Sequence, residues 1–94
     1  MISISVRYYN MLRRRTGVER EEIELPAGTA LRAALDLLVA RHGPRLGEMI
    51  FTPEGTVASH LVVFHDRKLV PHDQLDRTLA DGDELMLFPA ISGG

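Results

Sequence analysis

Only one stretch of this chain has the length and spacing of a helix of several turns, and that limits the folds open to it. From Thr29 onward, Leu31, Ala34, Leu35, Leu38 and His42 recur at i, i+3, i+4 and i+7, the period that gathers side chains on one helical face. Arg32, Asp36 and Arg41 are left to face water. Thr29 stands where a side-chain cap is useful, and Gly43-Pro44 stops the run. The high Ala and Leu content of the segment favours a helix. A chain of 94 residues makes one domain with one modest core. With a single long helix, the stable way to bury that core is a sheet packed across it.

The other apolar segments supply that sheet. Ile2-Ser3-Ile4-Ser5-Val6-Arg7-Tyr8 alternates with period two and reads as a strand buried on one face. In residues 8–17, Met11 and Leu12 can dock a turn of helix, Arg13, Arg14 and Arg15 form a dense basic cluster, and Gly17 ends the segment. A second strand centres on Glu21–Leu25, with Ile23 and Leu25 inward, and Pro26-Ala27-Gly28-Thr29 turns the chain. Residues 43–60 read as a loop with one short helical turn at 45–50 and Phe51 as an anchor. His60–His65 is the strongest strand signal, and its apolar centre predicts a central position. Asp66-Arg67 fits a two-residue hairpin turn with Lys68-Leu69-Val70 returning, although neither turn residue is glycine. Leu75 and Leu79 can pin a short 3₁₀ turn. Asp81-Gly82-Asp83 is a tight turn, residues 84–88 form the last strand, and Pro89 closes it. The expected class is α+β, with a mixed sheet across one main helix. The pattern alone leaves other small α+β folds open.

Charge and composition exclude several functions. Eleven basic against 13 acidic side chains give a net charge of −2, which argues against non-specific nucleic-acid binding. No apolar run approaches a membrane span, and no signal-like N-terminal pattern is seen; a cytoplasmic protein is expected. His42, His60, His65 and His72 lack metal-ligand spacing, and His42 is expected to favour its helix C-terminus. There is no Gly-x-Ser-x-Gly elbow and no Walker A loop, so neither a metal site nor a cofactor site is expected. The isolated chain is not expected to be an enzyme. With no cysteine, disulfides, thiolate metal sites and cysteine nucleophiles are excluded.

The last stretch, Pro89-Ala90-Ile91-Ser92-Gly93-Gly94, leaves that final strand and could extend roughly 20 Å. Gly93 and Gly94 have no side chains, so a partner can enclose the backbone closely. Together with Gly82-Asp83-Glu84, the length of the chain, and Tyr8, Tyr9, Leu12, Arg13 and Gly17, this end resembles the small subunit of molybdopterin synthase, a ubiquitin-like sulfur carrier. Ala90 stands where that family usually has a second proline, and Asp66-Arg67 where it usually has Asn-Gly.

The resemblance implies a single β-grasp domain over residues 1–94 with a tail at 89–94. It implies that Gly94 is adenylated by a ubiquitin-activating-like adenylyltransferase using ATP and magnesium. A sulfurtransferase or other donor would then convert it to a thiocarboxylate. The sulfur would pass to a pyranopterin precursor inside the large subunit of molybdopterin synthase, for molybdenum cofactor biosynthesis. Gly93 would give clearance, while Phe88, Pro89, Ala90, Ile91 and Ser92 would anchor and position the tail. Leu87 is expected in the core, Phe88 nearer the partner and Ile91 in a pocket at the channel mouth. Two alternatives stand beside this. One is a carrier for thiamine, cysteine or transfer-RNA thiolation, or a protein modifier. The other is a non-catalytic β-grasp adaptor in which Gly-Gly is incidental.

Overall fold

The computed structural model describes residues 1–90. Five strands form one sheet: β1 (Ile2–Tyr8), β2 (Arg20–Leu25), β3 (Leu61–His65), β4 (Lys68–Val70) and β5 (Glu84–Pro89). Three helices, α1 (Asn10–Thr16), α2 (Leu31–His42) and α3 (Pro44–Ile50), and a 3₁₀ turn at His72–Gln74 complete the elements. The strand order is β2-β1-β5-β3-β4. β5 is therefore central, parallel to β1 and antiparallel to β3. This mixed sheet with helices packed on it is a β-grasp arrangement.

Alternation along each strand divides the sheet into two faces. Ile4, Val6, Ile23, Leu25, Leu61, Val63, Leu85 and Leu87 point inward and are buried. They meet Leu31, Ala34, Leu35 and Leu38 of α2, with Leu12 of α1 and Leu46 and Ile50 of α3 in the same core. The helical period read from the sequence thus selects the residues that fill the interior.

Several expectations change in detail. The strongest strand signal belongs to β3, which is interior, but the central strand is β5. α2 begins after Ala30 with no side-chain cap, because the Thr29 hydroxyl donates to the Pro26 carbonyl instead, at 2.6 Å. The turn expected near Met11 is a two-turn helix ended by Gly17 in the left-handed region, φ 76°, whose N–H bonds Arg13. The helical turn expected at 45–50 is α3, and an isolated bridge between Phe51 and Val57 holds the segment that follows it. Arg32 lies 4.4 Å over the Phe51 ring and donates to the Gly55 carbonyl, so it braces this segment. The 3₁₀ turn precedes Leu75, while Leu75 and Leu79 are buried as anchors.

The hairpin between β3 and β4 shows what replaces Asn-Gly. Asp66 and Arg67 both adopt positive φ, 49° and 69°, as a type I′ turn requires. Asp66 is bonded twice to β5: its N–H donates to the Glu84 carbonyl, and its carboxylate accepts the Glu84 N–H at 2.8 Å. Gly82, at φ 85°, makes the turn before β5, and its N–H donates to Ser3.

Candidate functional site

The site is the point where the central strand leaves the domain. Pro89 is the last residue of β5, opposite Leu61, and the Ala90 N–H donates to the His60 carbonyl at 2.6 Å. Tyr9 N–H donates to the Leu87 carbonyl on the other side. The base of the tail is thus bonded from both flanks. Ile91, Ser92, Gly93 and Gly94, on which the tail expectations rest, lie outside the described residues.

A groove of about 450 Å3 opens at this exit, lined by Asn10, Met11, Arg14, Met49, Pro89 and Ala90. Sequence reading took Arg13, Arg14 and Arg15 as one basic cluster. The structure separates them. Arg13 approaches Glu19 at 3.6 Å, Arg15 reaches Glu48 and the Arg45 carbonyl, and Arg14 lines the groove.

The expected division between Leu87 and Phe88 holds: Leu87 is in the core and Phe88 lies on the outer sheet face. Phe88 stacks on Tyr9 with centroids 4.0 Å apart and meets Phe64 edge-on at 5.6 Å. Val62 is paired with Phe88 across the strands, and Phe64 with Met86 and Leu69. All five project from the face without helices, and Leu69 is 61% exposed. Sequence reading missed this continuity. The available signal was the alternation of β3 and β5, which sends Val62, Phe64, Met86 and Phe88 to one side.

Two carboxylates form polar clasps elsewhere. Glu21 accepts from Tyr8 at 2.6 Å, Arg41 at 2.8 Å and His42 at 2.5 Å. Burial works to raise its pKa, but these three donors outweigh it and hold the carboxyl below its usual range. The Tyr8 hydroxyl is pushed up, first by burial and then by the bond to Glu21. His42 is the last residue of α2, as expected, and it also joins this knot with its ring edge-on to Tyr8.

The second clasp is Asp83, which His65 approaches at 2.6 Å and to which Ala80 N–H donates at 2.8 Å. Burial opposes ionisation there too, and the hydrogen bonds again prevail to lower the pKa. His65, Asp66 and Asp83 bring potential metal-ligand atoms within 4.8 Å of one another. In the structure Asp83 and Asp66 are engaged by Ala80, His65 and Glu84, bonds that join the β3–β4 hairpin to the start of β5. Among the described residues, no helix is long and apolar enough to cross a membrane.

A mixed five-stranded sheet around a central C-terminal strand, with an exit fixed on both flanks, defines a ubiquitin-like β-grasp protein. The chain belongs to the ThiS family, which matches residues 6–94. It is therefore a member of the ubiquitin-like sulfur-carrier superfamily. Small archaeal modifier protein 1 of Haloferax volcanii is 32% identical over 78 residues, 83% of this chain and 85% of the relative. A crystal structure of that Haloferax volcanii protein has a TM-score of 0.87 and 29% identity, over 98% of this chain and 99% of the other. A candidate molybdopterin converting factor, subunit 1, from Pyrococcus furiosus has a TM-score of 0.78 and 26% identity, over 97% of this chain and 100% of the other. The first expectation, a molybdopterin synthase subunit, is thus less well supported than the sulfur-carrier or modifier alternative.

Proposed function

We propose that this chain is a sulfur carrier and protein modifier that acts through the carboxylate of Gly94. The observation that carries the reading is the anchored exit: β5 is central, and Ala90 is held by His60. Four residues beyond Ala90 separate that fixed point from the carboxylate. The similarity to a small archaeal modifier protein supports the same reading.

A carboxylate at neutral pH is a poor electrophile because its leaving group would be oxide. Adenylation replaces oxide by AMP. A sulfur donor attacking that mixed anhydride leaves a thiocarboxylate, and a protein amine attacking it leaves an amide. ATP and magnesium belong to the activating enzyme. The chain supplies a reachable acyl carbon and a surface that docks. Phe88 with Tyr9 and Phe64 presents an apolar patch beside the exit, and the Met11–Arg14 groove receives the lip of the partner's channel. Pro89 and Ala90 set the direction of the tail. Ile91 fills a pocket at the channel mouth, Ser92 positions the segment and Gly93 leaves clearance.

Incubation with an adenylating activating enzyme, ATP and a sulfur donor tests the proposal by intact mass. One oxygen should be replaced by sulfur, with fragmentation assigning the change to Gly94. Deleting Gly94 moves the carboxylate back by about 3.3 Å, where a 1 Å error already costs roughly a hundredfold. Transfer should vanish while the urea midpoint stays put. Equal transfer by the shortened chain would sink the assignment of Gly94.

The second reading, the small subunit of molybdopterin synthase, is favoured by the likeness to the Pyrococcus furiosus protein. Reconstitution of the thiocarboxylated chain with a large synthase subunit and a pyranopterin precursor separates the two. Dithiolene formation supports the synthase reading. Amide-linked proteins without dithiolene support the modifier.

A further inference from the structure

The chain has eleven basic side chains, and Lys68 is the only lysine among them. The rest are arginines, whose guanidinium groups stay protonated in proteins and so do not act as amine nucleophiles. Any amide formed on a side chain of this protein must therefore use Lys68. The residue opens β4 and is exposed. Arg7, Arg13, Arg15, Arg32, Arg41 and Arg67 are all within ion-pair distance of carboxylates. Among the described residues Lys68 is in no such pair.

The surroundings of Lys68 carry a second, independent feature. Among the described residues, β4 lies at the edge of the sheet and pairs only with β3. Its other side has no strand partner among the described residues, the setting in which an extended peptide adds as a further strand. A segment without side chains approaches such an edge most closely, and this chain ends in Gly93-Gly94. Leu69, beside Lys68, offers an exposed apolar contact. Pro71 follows the strand, which restricts pairing to a few residues.

We propose that Lys68 is the acceptor at which a second copy of this chain attaches through the carboxyl group of its Gly94. This rests on the modifier reading above. Lys68 is opposite His65, which is paired with Leu85 near the start of β5, whereas the tail leaves from the other end of β5 at Pro89. β5 ends at the opposite end of the sheet from Lys68, and the donor proposed is therefore another molecule. Donor exit and acceptor edge are different surfaces, and a contact of that kind propagates as an open chain of copies rather than closing as a symmetric pair.

The reaction balances with one nucleoside triphosphate per bond. ATP first converts the donor carboxylate to an acyl adenylate, releasing pyrophosphate. The Lys68 ammonium gives one proton to solvent, and its amine forms the C–N bond at the Gly94 carbonyl carbon. The C–O bond to AMP breaks, AMP leaves with the electron pair, and a second proton passes to water. The product is two chains joined with the loss of one water.

The test uses the full chain with an adenylating activating enzyme and ATP, and a parallel arm containing hydroxylamine. Activated chain is trapped in that arm as the hydroxamate. Wild-type protein should give a linked dimer, and tryptic digestion should yield a branched peptide joining residues 78–94 to Lys68. Lys68→Arg keeps the charge and should lower dimer yield at least tenfold, with hydroxamate yield and urea midpoint unchanged. Undiminished dimer in that variant, with linkage to the Met1 amine, overturns the assignment. So does water loss within a single chain, or hydroxamate with no dimer. Absence of hydroxamate rejects the carrier reading itself, and this inference with it.

Discussion

The two faces of the sheet use the same strands for opposite ends. On the inner face, Val63 and Leu87 face each other across β3 and β5 and are fully buried. One residue along each strand, Phe64 and Phe88 stand on the outer face, half-buried, meeting each other edge-on, with Phe88 stacked on Tyr9. Both pairs are apolar, but only the first is enclosed by helices. Burial of an apolar side chain is worth about 1.5–3 kcal/mol, and the outer residues realise only part of that. An apolar surface of this kind, beside the exit of a reactive tail, is where a partner can recover the remainder.

The largest expected effects separate the faces directly. Leu87→Ala leaves a cavity in a closed core and should cost about 2–5 kcal/mol of stability, read as a lower urea midpoint. Phe88→Asp, one residue further, should move the midpoint far less. It should weaken binding to the activating enzyme at least tenfold, because a docked partner would bury an unpaired charge. Calorimetry on the folded variants checks this. Similar losses of stability in both variants would show that the outer face is simply a second part of the core.

This contrast also explains what was legible beforehand. The alternation of β1, the helical period of α2 and the turns at Asp81-Gly82 and Asp66-Arg67 were readable because each depends on neighbours in sequence. β3 was read as central because an apolar run looks alike whether its second face is covered by protein or left for a partner. Periodicity reports apolarity and not what covers it. The glutamate at position 21 looked like one of several charges in Glu21-Glu22-Ile23-Glu24. Only the packing of β2 against the end of α2 brings Arg41 and His42 to it. The tail was legible through its resemblance to a family, and the residues that make the exit rigid, His60 and Tyr9, act through backbone groups that no side-chain pattern reveals.

Glu21 lies on the inner face with Ile23 and Leu25, and it should make stability depend on pH. Its folded pKa is lowered, while an unfolded glutamate titrates near about 4.3. The contribution is therefore present above that value and is lost as the pH falls through the lower, folded value. Hydrogen bonds to a charged group are worth about 1.5–3 kcal/mol each in net terms. Glu21→Gln should thus lower the urea midpoint at pH 7 by an amount that shrinks markedly toward pH 3. A constant difference across that range would mean that packing around Tyr8 matters and the charge does not.

The smallest expected effect lies at the hairpin tip that borders both faces. A type I′ turn asks for positive φ at both central residues, which costs an ordinary residue about 1–2 kcal/mol. Asp66 offsets this with the bond from the Glu84 N–H. Arg67 has only a 3.7 Å ion pair to Glu84 from a side chain that is 84% exposed, and a pair of that kind is worth roughly 0–1 kcal/mol. Glycine at position 67 removes the strain but adds about 0.5–1 kcal/mol of backbone entropy cost. Arg67→Gly should therefore stabilise the fold slightly, by about 0.5 kcal/mol, seen as a small rise in the urea midpoint. Asp66→Gly relieves the same kind of strain but loses the bond to β5, and should lower the midpoint. If Arg67→Gly also lowered it, the ion pair would be stronger than its exposure allows. Neither change touches Val63 and Leu87 or Phe64 and Phe88, so the Leu87→Ala and Phe88→Asp effects should add to Arg67→Gly without coupling. Coupling to Phe88→Asp alone would show that strain at the tip is transmitted along the outer face.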